Sequence, residues 1–410
     1  MTAHSVSLIT WLVIGLCCVS TCYVTIAALV HPGWRRNDLN ARRKALNEDD
    51  AAYPPVSVLK PLCGLEPRLY FNLETFCEQM YPSYQLLFGV ASEADPAAQV
   101  VRRLARAYPQ LDIALVIAAS SHGSNRKVGN MINMAAHAKH DIFVIADSDI
   151  AVEPDYLMRV TAPLADERVG VVTCLYRGRR VGGFWARFGA LFIDKWFAPS
   201  VYVANWIGVS RFGFGATLAL TRDTLVKSGG FEAVRDCLAD DYWIADRVRA
   251  LGLQTVLSDV VVATDVTERD LAALWRRETR WLRTIRSIDP LSFAFLFVTF
   301  TTPWLVTSGL LSLVFDSSGV DLAQSTADTI VDLSSSFGLS ARLLLHWRSA
   351  RSWRAFWIDL PLIPLRDTLM CLQWLAAWFG SSVLWRGFRV PVDDTRSIRG
   401  VTDAADASDS

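Results

Sequence analysis

The sequence predicts an α/β protein built on a doubly wound, mostly parallel sheet, with membrane helices near both ends of the chain. Three observations predict it. Strand-length and helix-length apolar segments alternate through residues 53–288, a continuously apolar strand at residues 142–146 ends in two aspartates, and uncharged apolar runs cover residues 5–30 and 290–315. Repeated β–α units imply right-handed crossovers and parallel strands. A fully apolar strand is typical of a central position with helices on both faces.

Each element of the central region follows from the period and length of its apolar pattern. One predicted helix begins at the acidic pair Asp240-Asp241 and ends near Gly252. The remaining predicted strands cover residues 56–62, 84–92, 111–118 and 169–176, and the predicted helices cover residues 66–79, 96–108 and 127–138, with a further one starting at Pro154.

The apolar run at residues 5–30 is long enough to span a bilayer. No Lys or Arg precedes it, and it exceeds the length of a signal-peptide core, so a cleaved leader is disfavoured. Arg35, Arg36, Arg42 and Arg43 follow directly, and the positive-inside rule places that side in the cytosol. The region from 53 onwards is therefore expected to start in the cytosol.

The carboxyl-terminal third predicts further membrane association. The run at 290–315 carries no charge and predicts a second span, while residues 316–336 carry four aspartates without Lys or Arg and suit a loop outside. The whole of 316–390 is expected to associate with the membrane. Its charges near residues 359–367 require partners within protein or water. Residues 391–410 are expected to form a disordered tail.

The overall composition excludes one class of partner and favours another. The chain of 410 residues has 41 basic and 41 acidic side chains and therefore no net charge. A nucleic-acid partner gains no electrostatic support from such a chain. Fifteen tryptophans and a mean hydropathy of +0.25 favour a membrane protein.

Two carboxylates, Asp147 and Asp149, flank Ser148 at the end of the apolar strand. The ends of parallel strands in open α/β sheets face the crevice where ligands bind. A hard dication takes one or two carboxylates together with phosphate oxygens. The pair therefore predicts a site for a metal ion and a nucleotide diphosphate.

Two other residues near predicted strand ends are candidates for donor binding. Asp95 follows the second strand, where its carboxylate can accept hydrogen bonds from a ribose or a base; the alternative is a simple helix cap before Pro96. Lys127 opens a helix after a Gly/Ser/Asn loop and can pair with a phosphate.

Asp240 and Asp241 lie at a predicted loop-to-helix junction. An acid there can cap the helix, or it can serve as a general base if it reaches the proton that it removes. The sequence leaves both readings open.

Downstream, Arg277 and Arg280 share one helix face at a spacing of three residues, and Trp281 follows. Two guanidinium groups can clamp a diphosphate leaving group. The alternative is a basic helix that faces anionic lipid headgroups, a role that Arg276, Arg283 and Arg286 also suit. The two roles are compatible.

The aromatic segment at residues 184–208 carries eight Trp, Phe and Tyr side chains and few charges. Such a helix suits the membrane interface, beside the entry of a lipid acceptor; a core helix is the alternative.

The order Asp95, Asp147-Ser-Asp149, Asp241 and Arg277-x-x-Arg280-Trp281 resembles the signature of family 2-type glycosyltransferases with a GT-A fold. The segments KPLCGLEPRLYFNLETFCEQMYPSYQLLFGV, SNRKVGNMINMAAHAKHDIFVIADSDI and LADDYW are similar to the ceramide glucosyltransferase family. TCLYRG, GALFIDKWFAPS, FGFGATLAL and TDVTE look most like the hopanoid-associated glycosyltransferases of bacteria. The resemblance covers about residues 5–315 and weakens at 316–340.

The resemblance implies a UDP-sugar donor and an inverting single displacement. Asp95 would hold the nucleoside, Asp147 and Asp149 would place Mg²⁺ or Mn²⁺ on the diphosphate, and Asp241 would deprotonate the acceptor hydroxyl. Arg277, Arg280 and Trp281 would steady the departing UDP and shape the acceptor site. Eukaryotic members often lack the second acid of the metal-binding pair, whereas this chain keeps Asp149.

The resemblance also implies a multi-pass protein of the bacterial inner membrane with its catalytic domain in the cytosol. The leading expectation is transfer of a hexose, N-acetylglucosamine, to a hopanoid polyol of the bacteriohopanetetrol type. The alternative is glucosylation of ceramide from UDP-glucose. A processive polysaccharide synthase is disfavoured, because such enzymes usually add more spans to form a channel.

Overall fold

The computed structural model describes residues 8–33, 53–317, 322–385, 388–391 and 402–403. Within these residues the chain forms two compact units. The sheet unit comprises the described parts of Arg43–Ala186, Val209–Glu268 and Ser381–Ser410. The helical unit comprises the described parts of Met1–Arg42, Arg187–Gly208 and Arg269–Gly380.

The strands and helices are numbered along the chain. The strands are β1 Val56–Pro61, β2 Tyr84–Val90, β3 Asp112–Ile117, β4 Ile142–Ile145, β5 Ile150–Ala151, β6 Val169–Arg180, β7 Leu218–Thr221, β8 Gln254–Val266, β9 Ser382–Trp385, β10 Phe388–Pro391 and β11 Thr402–Asp403. The α-helices are α1 Leu8–Val30, α2 Leu69–Cys77, α3 Pro96–Ala107, α4 Arg126–Ala135, α5 Tyr156–Thr161, α6 Phe184–Phe192, α7 Ala198–Trp206, α8 Arg222–Lys227, α9 Asp240–Ala250, α10 Leu271–Ile288, α11 Pro290–Phe295, α12 Thr301–Ser317, α13 Leu322–Arg348, α14 Trp353–Asp359 and α15 Leu362–Ala377.

The sheet unit is built on one eight-stranded sheet with the order β3-β2-β1-β4-β7-β6-β8-β5. The strands β3, β2, β1 and β4 run parallel, as do β6 and β8. The pairs β4–β7, β6–β7 and β5–β8 are antiparallel. The predicted α/β class with a mostly parallel sheet is confirmed, and β4 is central as expected.

Two apolar cores, one on each face of the sheet, explain the alternation read from the sequence. Along β1, Val58 points to the core that contains Phe76 and Val101, whereas its neighbour Leu59 points to the core that contains Met131. Helices α2, α3 and α5 cover the first face, and α4 and α9 cover the second. Complete burial of a side chain such as Phe76 contributes about 1.5–3 kcal/mol.

The helical unit packs α1 against α12 and α13. Val24 and Ala27 of α1 form a core with Leu345 of α13. Between the same two helices, the Thr21 hydroxyl lies 3.0 Å from the Ser334 hydroxyl, and it donates to the Ser334 carbonyl at 3.1 Å. Small residues and hydroxyl hydrogen bonds are the usual means by which membrane helices associate.

Helix α1 is long and apolar enough to cross a membrane, and it corresponds to the predicted span at residues 5–30. The predicted second span at 290–315 is not one straight helix. Residues Pro290–Thr299 and Thr301–Leu313 are long and apolar enough to cross a membrane only when taken together, and they meet at a 55° bend. The bend has a local cause, because Pro303 cannot donate to the carbonyl of Thr299 and its ring would clash with that group in a continuous helix.

The expectation of a loop at residues 316–336 was wrong for the described residues from 322 onwards. Residues 322–348 form one continuous helix, α13. Polar groups on this helix find partners on α12: the Ser312 hydroxyl donates to Asp332 at 2.6 Å, and the Ser308 hydroxyl donates to the Val331 carbonyl at 3.2 Å. Charge alone therefore misled the prediction, since helix packing satisfies these polar groups.

The aromatic segment at 184–208 forms two parts. The first is α6 with the π-helical turn that follows it, Ile193–Phe197, and the second is α7. Phe192 and Trp196 are buried, and the indole N–H of Trp196 donates to Thr299 at 2.8 Å. Trp206 at the end of α7 is 62% exposed. The first part therefore fits the core-helix alternative, and the interfacial role stays a prediction for the second part.

The predicted domain limits and the structural units differ in two respects. The described residues between 381 and 390, which were predicted to associate with the membrane, cluster with the sheet unit. Residues 187–208 and 269–288, which were predicted to belong to the domain at 53–288, cluster with the helical unit. Most of the tail predicted to be disordered at 391–410 lies outside the described residues. Within it, Thr402 and Asp403 pair with β10 as a short strand.

Candidate functional site

The end of β4 presents the two predicted metal-binding carboxylates. The Ala146 N–H donates to the Leu59 carbonyl at 3.2 Å and the Asp147 N–H donates to the Gly215 carbonyl at 3.1 Å, which fixes the backbone as the strand ends. Asp149 accepts a hydrogen bond from the Thr264 hydroxyl at 2.8 Å. Both acids therefore lie at the carboxyl edge of the parallel strands, as predicted.

Lys60 on β1 supports this turn from beneath. Its side chain is fully buried over the ring of Phe76, and its ammonium donates to the Asp147 carbonyl at 2.6 Å. Burial lowers the pKa of Lys60 to about 7, although the charges of Asp149 and Asp147 oppose the shift. Ser148, between the two acids, donates to Glu66 at 2.7 Å.

Lys127 lies among three acids. Its ammonium is 2.8 Å from Asp147 Oδ1 and 3.0 Å from Asp240 Oδ2. Burial alone would lower its pKa, but the charges of Asp147, Asp240 and Asp241 outweigh burial and hold the pKa of Lys127 above its usual value. The side chain of Asn125 caps α4 by accepting from the N–H groups of Lys127 and Val128, so the lysine position is set by a helix start.

Asp241 does not act as the cap of α9. Its Oδ2 accepts from the Gly215 N–H at 2.6 Å, and its Oδ1 accepts from the Tyr242 N–H at 2.9 Å. Burial raises the pKa of Asp241 to about 6, and the neighbouring charge of Asp240 adds to the shift. The carboxylate thus accepts from the first turn of α9 and also from a residue of a different segment, so its role extends beyond a simple cap.

Gly215 joins the two acidic clusters. Besides donating to Asp241, it lies so close to the end of β4 that an added Cβ would be 2.6 Å from Asp147 Oδ2 and 3.1 Å from Lys127 Nζ. A side chain at this position would displace the Asp147 carboxylate. The sequence reading did not assign Gly215, although it lies in the quoted segment FGFGATLAL.

The chemistry of the donor set fits a hard dication. Burial raises the pKa of Asp149 to about 7, and the charges of Asp147 and Glu66 add to the shift. A bound cation relieves this repulsion. In the described part of the chain, no group of three or more His, Cys, Asp or Glu side chains is arranged to hold a metal ion. Two carboxylates suit Mg²⁺, or the similarly hard Mn²⁺, when phosphate oxygens complete the coordination.

Asp95 lies at the end of β2, two positions from β4 in the sheet order. It caps α3 by accepting from the Ala97 N–H at 2.9 Å. It also accepts from the Gly64 N–H at 3.0 Å with both carboxylate oxygens. The capping alternative is therefore present in the structure, and the same carboxylate orders the loop after β1.

Arg277, Arg280 and Trp281 lie on α10 of the helical unit. The Arg277 guanidinium lies over the Trp281 ring, 5.1 Å from its centre, and contacts Glu278 at 3.5 Å. Arg286 donates to the carbonyls of Ala377 and Gly380 at the end of α15. The predicted helix is confirmed, and Arg286 has a structural partner within its own unit.

Four residues that contact the site were not assigned from the sequence: Lys60, Glu66, Gly215 and Thr264. Lys60 is recognisable in retrospect as the lone charged residue of β1. The other three carry no local signal, because each contact joins segments far apart in the chain.

Comparison with known proteins identifies related sequences. The model of Glycosyl transferase family 21 matches residues 12–398. Ceramide glucosyltransferase 1 of Caenorhabditis elegans is 30% identical over 237 residues, which are 58% of this chain and 51% of that protein. Ceramide glucosyltransferase of Komagataella phaffii is 34% identical over 102 residues, 24% of this chain and 20% of that protein. The match thus spans about half the length of the nematode relative, and less of the yeast one.

Solved structures show weaker similarity. A mannosyltransferase from Pyrobaculum calidifontis, in complex with GDP-Man and Mn²⁺, has a TM-score of 0.46 at 19% identity, and the match covers 89% of this chain and 97% of that one. Glucosyl-3-phosphoglycerate synthase from Mycobacterium tuberculosis, with Mn²⁺ and UDP-glucose, has a TM-score of 0.34 at 18% identity, with 62% and 83% covered.

The predicted relation to the ceramide glucosyltransferase family is confirmed by the family match. The narrower similarity to hopanoid-associated enzymes stays a prediction.

Replacing Gly215 by Ala should weaken Mn²⁺ binding by about tenfold, because the new methyl group displaces the Asp147 carboxylate. Calorimetric titration of the purified protein with Mn²⁺ measures the effect. Gly183→Ala is the matched control, because an added Cβ there meets no atom within 4 Å. Equal Mn²⁺ affinity in Gly215→Ala and the wild type would contradict a metal site at Asp147.

Proposed function

Because the chain belongs to glycosyl transferase family 21, we propose that it transfers a hexose from a UDP-sugar to the hydroxyl group of a membrane lipid, with inversion at the sugar carbon. The observation that carries this proposal is the site at one edge of the sheet, where a pair of carboxylates suited to a dication lies beside a separate half-buried acid, Asp241. The GT-A fold is the frame for both.

We assign the two acidic clusters different roles. Asp147 and Asp149 hold Mg²⁺ or Mn²⁺, which when bound neutralises charge on the diphosphate of the donor. Asp241 accepts the proton from the acceptor hydroxyl as the oxygen attacks the sugar carbon. Since Asp241 accepts two backbone hydrogen bonds, its carboxylate is oriented before the substrate arrives.

We assign the remaining predicted residues to binding of the substrates. Lys127 and Arg277 with Arg280 offer positive charge to the diphosphate and to the departing UDP. Asp95 holds the nucleoside, either directly or through the loop that its carboxylate orders at Gly64. Trp281 shapes the acceptor site on α10.

Membrane association of the whole chain supports a lipid as the acceptor. Helix α1 is apolar enough to span a bilayer, and the arginines after it favour a cytosolic position for the sheet unit. We propose the inner membrane of a bacterium as the location, with several membrane segments.

Two acceptors are supported by different observations. The nematode and yeast relatives are ceramide glucosyltransferases, which favours glucosyl transfer from UDP-glucose to ceramide. The segments TCLYRG and FGFGATLAL favour a hopanoid polyol that receives N-acetylglucosamine. The chemistry at Asp241 is the same for both, because each acceptor offers an alcohol.

Mass spectrometry of lipids distinguishes the two acceptors. Membranes that contain the protein are supplied with ceramide and a hopanoid tetrol together, and with UDP-glucose or UDP-N-acetylglucosamine. We expect one lipid to gain a hexose. Glucosylceramide alone would discard the hopanoid assignment, and a hopanoid glycoside alone would discard ceramide. No glycolipid with either donor would contradict transfer to both acceptors.

Replacing Asp241 by Asn should lower kcat by about 10²–10⁴-fold, because the amide cannot accept the proton of the acceptor. The amide oxygen still accepts from the Gly215 N–H, so UDP binding should persist. Radiolabelled sugar transfer and UDP calorimetry measure the two properties. Asp246→Asn on the same helix is the control, since Asp246 pairs with Arg249 at 3.2 Å. Wild-type turnover by Asp241→Asn would remove the general-base role.

The pH dependence follows from the raised pKa of Asp241. A general base works only when deprotonated, so kcat/KM for the acceptor should fall as pH drops through about 6. Well below that pKa, kcat/KM should fall by nearly tenfold per pH unit. A dication at Asp147 lowers the pKa of Asp241 somewhat and therefore moves this fall to lower pH. Initial rates at fixed metal and donor concentrations measure it. A kcat/KM that is constant or decreases as pH rises from about 5 to about 7 would contradict the assignment.

A further inference from the structure

We propose that Glu278 and Arg366 are positioning residues that fix the side chains of Arg277 and Trp281 for the departing UDP. The inference rests on the proposed function and assigns a role to two charged residues that it does not use. Both belong to the helical unit, Glu278 on α10 and Arg366 on α15.

The pair is almost completely removed from water. Glu278 is 0% exposed, Arg366 is 1% exposed and Gln373, also on α15, is 0% exposed. The Arg366 guanidinium donates through Nη2 to Glu278 Oε2 and, at 3.0 Å, to Gln373 Oε1. The Gln373 amide donates to the same Glu278 oxygen at 2.9 Å. Three side chains thus fix one another by charge-assisted hydrogen bonds.

A second set of contacts leads from Arg366 to Trp281. The Arg366 guanidinium lies over the rings of Phe188 and Phe192, 5.0 Å and 5.5 Å from their centres. The Phe192 ring in turn lies 5.5 Å from the Trp281 ring. The orientation of Trp281 therefore depends on the ring that Arg366 holds.

The contacts close on Arg277. Its guanidinium lies over Trp281 and its Nη2 is 3.5 Å from Glu278 Oε1. Glu278 thus uses one carboxylate oxygen for α15 and the other for Arg277. A closed ring of contacts joins Glu278, Arg366, Phe192, Trp281 and Arg277, and two of these five residues belong to the proposed diphosphate and acceptor site.

Stability alone is a poor reason for this arrangement. A buried ion pair gains little over apolar residues of the same size, because both charges lose their water. Within the described structure, two further nitrogens of Arg366, Nε and Nη1, are buried without a hydrogen-bond partner, which adds to the cost. The pair instead fixes the orientation of nearby side chains, because a planar guanidinium with fixed partners holds its neighbours in one geometry.

A second pair from the same helix provides a matched control. Asp367, the next residue on α15, pairs with Arg342 on α13 at 2.5 Å and accepts from Thr302 at 2.7 Å. This pair is also buried, yet it makes no described contact with Arg277 or Trp281. It reports what the loss of a buried ion pair does to α15 without a change at α10.

The experiment compares two charge-removing double variants in the full chain, purified in detergent. The first variant is Glu278→Gln with Arg366→Met, and its new amide can still accept the hydrogen bond from Gln373. The second is Asp367→Asn with Arg342→Met, and its new amide can still accept the hydrogen bond from Thr302. Each variant removes both charges of its buried pair, so neither charge of the pair stays buried alone, and both variants should keep a cooperative melting transition. Transfer kinetics with the UDP-sugar and the lipid, and UDP affinity by calorimetry, are the readouts.

We expect Glu278→Gln/Arg366→Met to lose about tenfold to a hundredfold in kcat/KM for the UDP-sugar, with weaker UDP binding. The KM for the lipid and the kinetics of Asp367→Asn/Arg342→Met should stay within about twofold of the wild type. Wild-type donor kinetics in the first variant, equal losses in both variants, or loss of folding in the first alone would overturn the positioning role. An inactive wild type would instead overturn the proposed function.

Discussion

The site depends on the position of one ammonium group, which lies among three carboxylates that repel one another. Asp147, Asp240 and Asp241 converge where β4 ends and α9 begins, and Lys127 lies 2.8 Å and 3.0 Å from the first two. Each pair of carboxylates a few ångströms apart repels by about 1–4 kcal/mol, depending on how much water screens it. Lys127 offsets that repulsion, and its place is fixed by the Asn125 cap of α4. A helix start therefore makes the acidic edge of the sheet possible.

Gly215 allows the edge to carry two kinds of chemistry at once. Its N–H holds Asp241, while its missing side chain leaves room for Asp147. The backbone of Gly215 thus contacts both the proposed metal-binding pair, through the Asp147 N–H, and the proposed general base, through the Asp241 carboxylate. This arrangement suits a displacement in which charge on the leaving group and the proton of the attacking group are handled at different places.

Prediction from the sequence succeeded where the signal was local. The β–α alternation, the acids after β4 and the helix that carries Arg277 all follow from short segments. Strands β7 and β8 were not assigned, because their identity rests on pairing with β4 and β6 rather than on their own pattern. Gly215 and Thr264 were missed for the same reason. The continuous helix α13 was taken for a loop because of its aspartates, of which Asp332 accepts a hydrogen bond from Ser312 on a different helix.

The charges of the apolar carboxyl-terminal segment show how such contacts decide structure. Asp359, Arg366 and Asp367 each form a buried or half-buried pair, with Arg187, Glu278 and Arg342 in turn. An unpaired charge in these places would cost several kcal/mol, so α14 depends on the partner from α6, and α15 depends on the partners from α10 and α13. Because α10 carries the arginines proposed to hold UDP, the membrane-associated segment and the donor-binding helix fold as one cooperative structure. Charged residues in an apolar helix therefore identify which other helices it must contact.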